Sequence, residues 1–434
     1  MLNFIFLLAT TLFFTNSVHA QSTYLQVGEA KTKKAVVALT PSIAAPESAA
    51  GALSQVEKTI QSDLEFIDTF RILPTAGFPQ SKITAAEQIK YADWAKSGTD
   101  YLSYGSFKLE GSNAIFEFHL MNIGGNKEVL AKRYTSESSE LKILGHSIAN
   151  DIVNAITGKK GIFLTRIAFI CDKTGKKEIF SSSFDGSDIR QVTRIRSLTM
   201  APAWSPDGQK IAFAVYNRHS DNTKNIDLFE MNLRTGGLKL LSNRKGINSG
   251  ASYSPSGDKL AYTMSYTGNP EIHVLNLETK ETSQLTHSIG FDVDPAWSPD
   301  GQKLAFVSSR PGKPMLYTLD LKNPADAKRL TYAGSYNATP AWSPDGKKIA
   351  FAGWLDKRFD LFTITSDGGK IERLTKDEGN NEDPHYSPDG SFLVFSSSRS
   401  GGKNIFIMGS EGGNVKRLTF GMGECVAPKW SPYL

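Results

Sequence analysis

The histidines and a set of repeated aspartates are the residues of this 434-residue sequence whose types could support catalysis or metal binding. Six histidines follow residue 20, and none is paired at the spacing of metal ligands: His119, His146, His219, His273, His287 and His385. No nucleophile elbow, phosphate-binding loop or H-E-x-x-H motif occurs in the sequence. We therefore expect single surface or packing histidines, no cofactor or metal, and a protein that is not an enzyme.

Four aspartates recur at regular intervals and resemble a set of catalytic carboxylates. They are Asp207, Asp300, Asp345 and Asp389, each inside a copy of the motif WSPDG or a close variant. Pro fixes φ, Gly tolerates a positive φ, and an Asp between them hydrogen-bonds its own backbone. We therefore interpret the four aspartates as turn residues.

The motif that carries these aspartates repeats along the chain. Its aromatic residue recurs at steps of 49, 44, 45, 44 and 44 residues, at Trp204, Tyr253, Trp297, Trp342, Tyr386 and Trp430. A fixed period in this range is typical of propeller blades. Each unit contains four short segments with strand character, and the second is apolar on both faces, as a blade packed between two neighbours requires.

The two ends of the repeat region complement each other. The segment from Arg166 has strands two to four of a blade with no WSPDG motif before it, and residues 427–434 supply a first strand with nothing after it. The sequence therefore predicts six blades, with the C-terminal strand completing the first.

Residues 21–160 lack the repeat and read as a small α/β domain. Strands are predicted at KKAVVAL, FRIL, YLSYGSFKL, AIFEFHLMN and EVLAKRY. Helices are predicted from Glu47 to Leu64, from a capping box at Thr84 to Gly98, and from Glu140 to Gly158. The predicted fold is an α+β N-terminal domain (21–160) followed by an all-β six-bladed β-propeller (161–434) whose ring is closed by the C-terminal strand.

Residues 1–20 have the character of a signal peptide. They carry no Lys, Arg, Asp or Glu, and an apolar run is followed by Val18-His19-Ala20, which fits signal-peptidase cleavage after Ala20. A membrane anchor is the alternative, but the apolar run is too short to span a bilayer. The net charge of +5, with both signs interspersed, does not favour nucleic-acid binding. We expect a soluble periplasmic monomer without membrane insertion.

The two cysteines fall on neighbouring strands of the first predicted blade. With Trp204 facing Ile211, antiparallel pairing in the next blade sets Thr199 against Tyr216 and Met200 against Val215. Transferred to the first blade, this pairing puts Cys171 and Cys425 one residue from direct opposition. A disulfide and a pair of buried free thiols remain open as alternatives.

The loops leading into the six first strands converge on one mouth of the propeller channel, which we call the channel mouth. The residues there that we predict to bind a partner are Asn248, Ser249, Val293, Asp294, Asn337, Thr339, Glu382 and Asp383. This surface is polar and locally acidic, so it could hold a partner's loop or a cation. The alternative is a set of solvated loops without a ligand.

Several stretches resemble the TolB family of periplasmic propeller proteins in the Tol–Pal system, and the resemblance extends over the whole chain. They are LKILGHSIANDIVNAITGKKGIFLTRIAF, LTMAPAWSPDGQKIAF and the terminal WSPYL. The resemblance implies that the lipoprotein Pal binds at the channel mouth and that TolA binds the mature N-terminus. The N-terminal contact residues would be Gln21, Ser22, Thr23, Tyr24, Leu25, Gln26 and Val27. It also implies an adaptor that supports outer-membrane integrity and constriction at cell division.

Two other functions are compatible with a propeller. A propeller-class lyase would gather His273, His287 and His385 around a metal ion. A carbohydrate- or peptidoglycan-binding protein would present aromatic side chains at the mouth, where the sequence offers Phe291, Tyr332 and Tyr336.

Overall fold

The computed structural model describes residues 34–434, which form a mixed β-sheet with helices followed by a ring of six four-stranded sheets. The predicted fold class is confirmed. The last helix before the ring ends at Thr157 and the first strand of the ring begins at Arg166, on either side of the predicted boundary at residue 160.

The part of the chain from residue 34 to 160 contains six strands and three α-helices. They are β1 (Ala35–Leu39), β2 (Ile43–Ala45), α1 (Ala50–Phe66), β3 (Phe70–Ile72), α2 (Tyr91–Lys96), β4 (Tyr101–Glu110), β5 (Asn113–Asn122), β6 (Lys127–Glu137) and α3 (Leu141–Thr157). The strands form one sheet in the order β3-β1-β4-β5-β6, with β2 beside β4. Strand β1 runs parallel to both neighbours, whereas β4, β5 and β6 are antiparallel.

Helices cover both faces of this sheet. Val37 of β1 packs in one core with Leu53 of α1 and Leu144 of α3. Its neighbour Val36 points the other way and packs in a second core with Trp94 of α2. Because alternate residues of a strand face opposite sides, both faces of β1 are apolar.

The helix predicted to run from Thr84 to Gly98 is wrong over its first half. The chain instead forms a short 3-10 turn at Ala86–Gln88, and α2 begins only at Tyr91. The backbone N–H of Thr84 donates to the side chain of Gln88, at 2.9 Å, so the predicted capping box does not form. Between the two elements Ile89 adopts an extended conformation and is buried against the sheet, which interrupts the helix.

Each of the six blades is a four-stranded antiparallel sheet. In chain order the strands are β7 (Arg166–Cys171), β8 (Glu178–Ser183), β9 (Arg190–Gln191), β10 (Thr199–Trp204), β11 (Lys210–Arg218), β12 (Lys224–Asn232), β13 (Leu238–Ser242), β14 (Asn248–Tyr253), β15 (Lys259–Met264), β16 (Glu271–Asn276), β17 (Thr282–Gln284), β18 (Asp292–Trp297), β19 (Lys303–Ser308), β20 (Met315–Asp320), β21 (Asn323–Arg329), β22 (Asn337–Trp342), β23 (Lys348–Leu355), β24 (Arg358–Thr365), β25 (Ile371–Arg373), β26 (Asn381–Tyr386), β27 (Phe392–Ser397), β28 (Asn404–Gly409), β29 (Lys416–Arg417) and β30 (Cys425–Trp430). Blade one combines β30 with β7, β8 and β9, and blades two to six follow in sequence. The C-terminal strand therefore completes the first blade.

The WSPDG motif forms the turn between the first and second strands of a blade. In blade two the Ser205 hydroxyl donates to Asp207 at 2.6 Å, and the same carboxylate accepts the backbone N–H of Gln209 at 3.0 Å. The hydrogen bond from Ser205 is the main reason that the pKa of Asp207 lies below its usual value. The same contacts recur at Asp300, Asp345 and Asp389, so the interpretation of these aspartates as turn residues is confirmed.

The structure joins Cys171 and Cys425 by a disulfide bond. Their Cα atoms are 4.3 Å apart, and the residues pair directly across β7 and β30. The predicted one-residue offset is wrong because every first strand contains a bulge. In blade two this bulge pairs Thr199, rather than Met200, with Val215.

The N-terminal domain docks on blades one and six. The ring of Phe66, at the end of α1, lies 4.9 Å from that of Phe184 in blade one and 5.4 Å from that of Phe392 in blade six. The ammonium of Lys416 in blade six lies 4.4 Å from the Phe66 ring centre. Phe392 is the first residue of the second strand of blade six, immediately after the SPDG turn. The domain therefore docks at the end of the ring where these turns lie, which we call the turn end and which is opposite the channel mouth.

Candidate functional site

The six first strands line the central channel and share one unusual backbone feature. Three residues before the aromatic of the repeat, each strand bulges and one residue adopts a left-handed conformation. Its φ is 48° at Ala201, 62° at Gly250, 54° at Asp294, 51° at Thr339, 57° at Asp383 and 51° at Ala427. Residues other than Gly rarely adopt this φ. In each blade, the pairing of the neighbouring residues with the second strand therefore holds the backbone in this conformation.

The six left-handed residues at these bulges form a ring of side chains, which we call the upper ring, in a channel cavity of about 510 Å³. A lower ring follows two residues later and consists of Ala203, Ser252, Ala296, Ala341, His385 and Lys429. Four members of the lower ring are small. His385 and Lys429, from adjacent blades, are therefore its two large polar side chains.

The predicted mouth residues fall into different environments. Asp294, Thr339 and Asp383 lie in the upper ring of the channel wall rather than on an open surface. Ser249 and Val293 are half-buried, and Val293 packs against the core of the neighbouring blade.

Two predicted contact residues, Asn248 and Asn337, are buried. The Asn248 amide donates to the backbone carbonyls of Ile226 and Arg244, at 2.8 and 2.6 Å. The Asn337 amide donates to the carbonyl of Ala333 at 2.9 Å. Both side chains are buried, and these bonds hold the loops in place.

The two channel carboxylates have unequal surroundings. Asp383 Oδ2 accepts the Ser396 hydroxyl and the backbone N–H of Ala427, both at 3.1 Å. Burial raises the pKa of Asp294, while the positive charge of Lys429 opposes that rise. Burial likewise lowers the pKa of Lys429, and Asp383 and Asp294 oppose that change. Glu382, the remaining predicted acid, is paired with Lys403.

His385 Nδ1 has two backbone partners inside the channel wall. The N–H of Trp430 lies 3.2 Å from this nitrogen, and the carbonyl of Tyr386 lies 3.1 Å from it. The first contact is a hydrogen bond when Nδ1 is unprotonated, and the second when Nδ1 carries the proton. Burial, followed by the charge of Lys429, lowers the pKa of His385 to about 3. This histidine links blade six to the C-terminal strand in its neutral form.

The histidines that a lyase would require do not form a metal site. His273 is buried with Nδ1 3.1 Å from the carbonyl of Glu271, and His287 is exposed. Among residues 34–434, no group of three His, Cys, Asp or Glu side chains could hold a metal ion.

Exposed apolar side chains from five of the six blades border the mouth, and most of them were missed from the sequence. We call this set the rim. It consists of loop residues that precede first strands and of residues at the ends of second strands on the same face, namely Leu198, Tyr216, Ile247, Tyr266, Ile289, Tyr332, Tyr336, Trp354 and Phe420. Ile289 and Phe420 are the clearest omissions, with Phe420 66% exposed. The available signal was the presence of large apolar residues in otherwise polar loops.

Arginines support three of the rim aromatics. The Arg329 guanidinium lies 4.7 Å from the ring centre of Tyr332, Arg417 lies 4.7 Å from Phe420, and Arg244 lies 5.4 Å from Tyr266. Arg329 and Arg417 belong to the repeated RLT segment, and their Nε atoms donate to the carbonyl two residues later, at 2.7 and 2.6 Å. These arginines thus fold back and hold the aromatic rings, a role that we did not infer from their position on outer strands.

Comparison with known proteins identifies the family. Residues 153–359 and 336–433 match the family described as TolB beta propeller domain, and residues 23–129 match the TolB amino-terminal domain. The chain belongs to the TolB family. The resemblance noted from the sequence is confirmed.

Several TolB relatives are similar to this chain. The TolB homologue of Chlorobaculum tepidum is 34% identical over 218 residues, which cover 50% of this chain and 48% of that protein. The Tol-Pal system protein TolB of Geobacter metallireducens is 34% identical over 200 residues, which cover 45% and 46% of the two chains. The chain thus spans about half the length of the curated relatives it matches. The crystal structure of TolB from Acinetobacter baumannii superposes with a TM-score of 0.80 at 27% identity, covering 92% of this chain and 97% of that one.

Two further predictions concern the N-terminal binding segment and membrane insertion. The predicted N-terminal contact residues, 21–27, lie outside the described residues. In residues 34–434, every helix is too short or too polar to cross a bilayer.

Proposed function

We propose that this TolB-family chain is a non-enzymatic periplasmic adaptor of the Tol–Pal system, exported by the signal peptide at residues 1–20. It binds the lipoprotein Pal with the rim and channel mouth, and TolA with residues 21–27 of the mature N-terminus. By bridging these partners it supports outer-membrane integrity and constriction at cell division.

The arginine-supported rim is the observation that carries this proposal. Exposed Tyr332 and Phe420 are each stacked on a guanidinium. Rings held in this way lose little side-chain freedom on binding, and Tyr, Trp and Arg dominate the binding energy of protein interfaces. A set of such residues around a concave mouth is suited to a folded protein domain.

The placement of the N-terminal domain supports an adaptor with two binding regions. The domain docks at the turn end of the ring through Phe66, and the rim lies at the other end. A partner seated on the rim therefore leaves the N-terminal domain accessible to a second partner.

A carbohydrate-binding role is the second candidate, because Tyr332 and Tyr336 could stack on sugar rings. The rim favours a protein partner, since its exposed residues also include Leu198, Ile247 and Ile289. Branched aliphatic side chains offer a sugar neither hydrogen bonds nor a flat stacking face.

The test is binding of purified mature protein to the soluble domain of Pal by calorimetry. The variant Tyr332→Ala/Phe420→Ala should weaken Pal binding at least tenfold, because truncating interface anchors costs about 2 kcal/mol or more. The matched control is Leu238→Ala/Leu240→Ala on β13, where both leucines are 46% exposed but lie on the outer side of blade two.

The control variant should bind Pal as the unmodified protein does. Deletion of residues 21–27 should abolish TolA binding and leave Pal binding intact. If the rim variant remains folded and binds Pal normally, the Pal site lies elsewhere. Binding of muropeptides to the unmodified protein, lost in the rim variant, would instead support the carbohydrate role.

A further inference from the structure

Asp294 and Asp383 occupy the same position of the repeat in blades four and six, yet only one of them is satisfied. Both adopt the left-handed conformation and both face the channel. Asp383 accepts the Ser396 hydroxyl and the Ala427 N–H. No hydrogen-bond donor or ion pair from residues 34–434 reaches the carboxylate of Asp294, whose own backbone N–H donates to Thr263 Oγ1 at 3.2 Å.

The difference follows from the second strand of each blade. Ser396 pairs with Glu382 in blade six, and Val307 pairs with Val293 at the corresponding place in blade four. Valine has no hydroxyl to donate, so blade four lacks the donor that holds Asp383 in blade six.

The backbone of the preceding blade makes room for the Asp294 carboxylate. Gly250 adopts a φ of 62°, and a β-carbon built there would lie 3.1 Å from Asp294 Oδ1. The carboxylate therefore rests against a glycine. Farther around the upper ring, Ala201 and Ala427 are also small, which leaves free space in the channel at this level.

Asp294 is close enough to the rim to act electrostatically on one of its residues. Burial, and then the charges of Asp294 and Glu382, raise the pKa of Tyr336, a rim residue. The ammonium of Lys429, in the lower ring, attracts Asp294 electrostatically but forms no ion pair with it among the described residues. Asp294 is thus a half-buried carboxylate in the channel wall with no donor among the described residues, within reach of a group that enters through the mouth.

We infer that the channel mouth receives a lysine or arginine side chain of the bound partner, which forms an ion pair with Asp294. This inference rests on the proposed function, because the partner must first sit on the rim. A channel carboxylate without a protein donor gains a charge-assisted hydrogen bond when a cationic donor from the partner reaches it. Lys429 limits how far the incoming cation can penetrate, because the two positive charges repel.

The test measures binding of the soluble domain of Pal to the mature protein by calorimetry at two ionic strengths. Asp294→Asn, which preserves shape, should weaken binding at least tenfold and flatten its salt dependence. Asp345→Asn is the matched control, since it removes the same charge at a turn carboxylate on the end of the ring opposite the channel mouth. It should change affinity less than threefold. Lys429→Met should strengthen binding at low salt.

The outcomes separate the inference from the proposed function. If Asp294→Asn binds normally while Tyr332→Ala/Phe420→Ala does not, the rim is the binding site and the ion pair does not exist. Equal weakening by Asp294→Asn and Asp345→Asn would also overturn the inference, because it would indicate a general field effect. A double-mutant cycle of Asp294→Asn with Lys→Met and Arg→Met variants of Pal should find one strongly coupled position, and no coupling at any position would refute the pairing.

Discussion

The indole Nε1 of Trp204 donates a hydrogen bond to the main-chain carbonyl of Lys429, at 3.0 Å, and so joins blade two to the C-terminal strand. Trp297 and Trp342 make the same bond to the first strand of the preceding blade, at 3.0 and 3.1 Å. The tryptophan of the repeat is therefore a connector between blades as well as a core residue. At the junction with blade one, this connector helps to fix the strand that closes the ring.

Replacing Trp204 by Phe should lower the free energy of unfolding by about 1 kcal/mol, because the Lys429 carbonyl loses this donor while the aromatic packing is largely retained. Trp342→Phe removes the corresponding bond between blades four and five and should have a similar effect. Urea denaturation followed by fluorescence would measure both. An unchanged midpoint for Trp204→Phe would show that water replaces the indole without penalty.

The disulfide should make a large contribution to stability. It links residues 254 positions apart, and the chain-entropy treatment of a loop this long gives about 5 kcal/mol. Cys171→Ala/Cys425→Ala should lower the unfolding free energy by up to that amount, and reduced wild-type protein should behave in the same way. Equal denaturation midpoints with and without reductant would contradict this expectation.

Stability should fall as the medium is acidified below neutral pH because of His385. Unfolded histidine takes up a proton as the pH falls through its ordinary pKa of 6.5, whereas burial holds the pKa of folded His385 at about 3. Its contribution to stability is therefore complete above pH 6.5 and is lost progressively between the two values. Linkage gives a loss of about 2 kcal/mol between pH 7 and pH 5.

His385→Gln, which keeps an acceptor for the Trp430 N–H, should flatten this part of the pH profile. His287→Gln, at an exposed position, is the control and should leave the profile unchanged. Denaturation midpoints collected at half-unit pH intervals would decide the matter. Identical slopes for the two variants would exclude His385 as the source.

Phe66 should couple the N-terminal domain to the ring. Phe66→Ala removes its contacts with Phe184, Phe392 and Lys416. It should weaken the docking by about 2 kcal/mol, less than the cost of truncating a fully buried Phe, because Phe66 is only half-buried. Calorimetry should then resolve two unfolding transitions, or a broader one. Phe420→Ala, on the rim, should keep the original transition. A single unshifted transition for Phe66→Ala would show that other contacts hold the domain.

The repeat made the propeller predictable, because a turn with Pro, Asp and Gly at fixed positions has few possible conformations. The blade count and ring closure followed from two complementary fragments at its ends. The register of the first strands could not be predicted, since a bulge at Thr339 or Asp294 leaves no mark on residue type. Likewise, nothing in the pattern around Thr84 shows that Ile89 will be drawn into the core and interrupt a helix.

The candidate site was only partly predictable for the same reason. The sequence located the loops that converge on the channel, but not which side chains face it. Asn248 and Asp294 both look like available polar residues, yet one is saturated within its loop and the other has no donor. That distinction depends on a neighbour on another strand, such as Val307 in place of a serine, and therefore requires the folded backbone.

The division of blade one between the two ends of the propeller segment has a mechanical consequence. A tensile load applied to the N-terminal domain would reach the ring through β7, the strand that immediately follows the domain in the chain. Strand β7 is flanked on one side by β8 and on the other by β30, to which the Cys171–Cys425 bond anchors it covalently. Pulling would therefore load a cross-linked strand pair, and the propeller could not be unzipped from its first strand while that bond is intact.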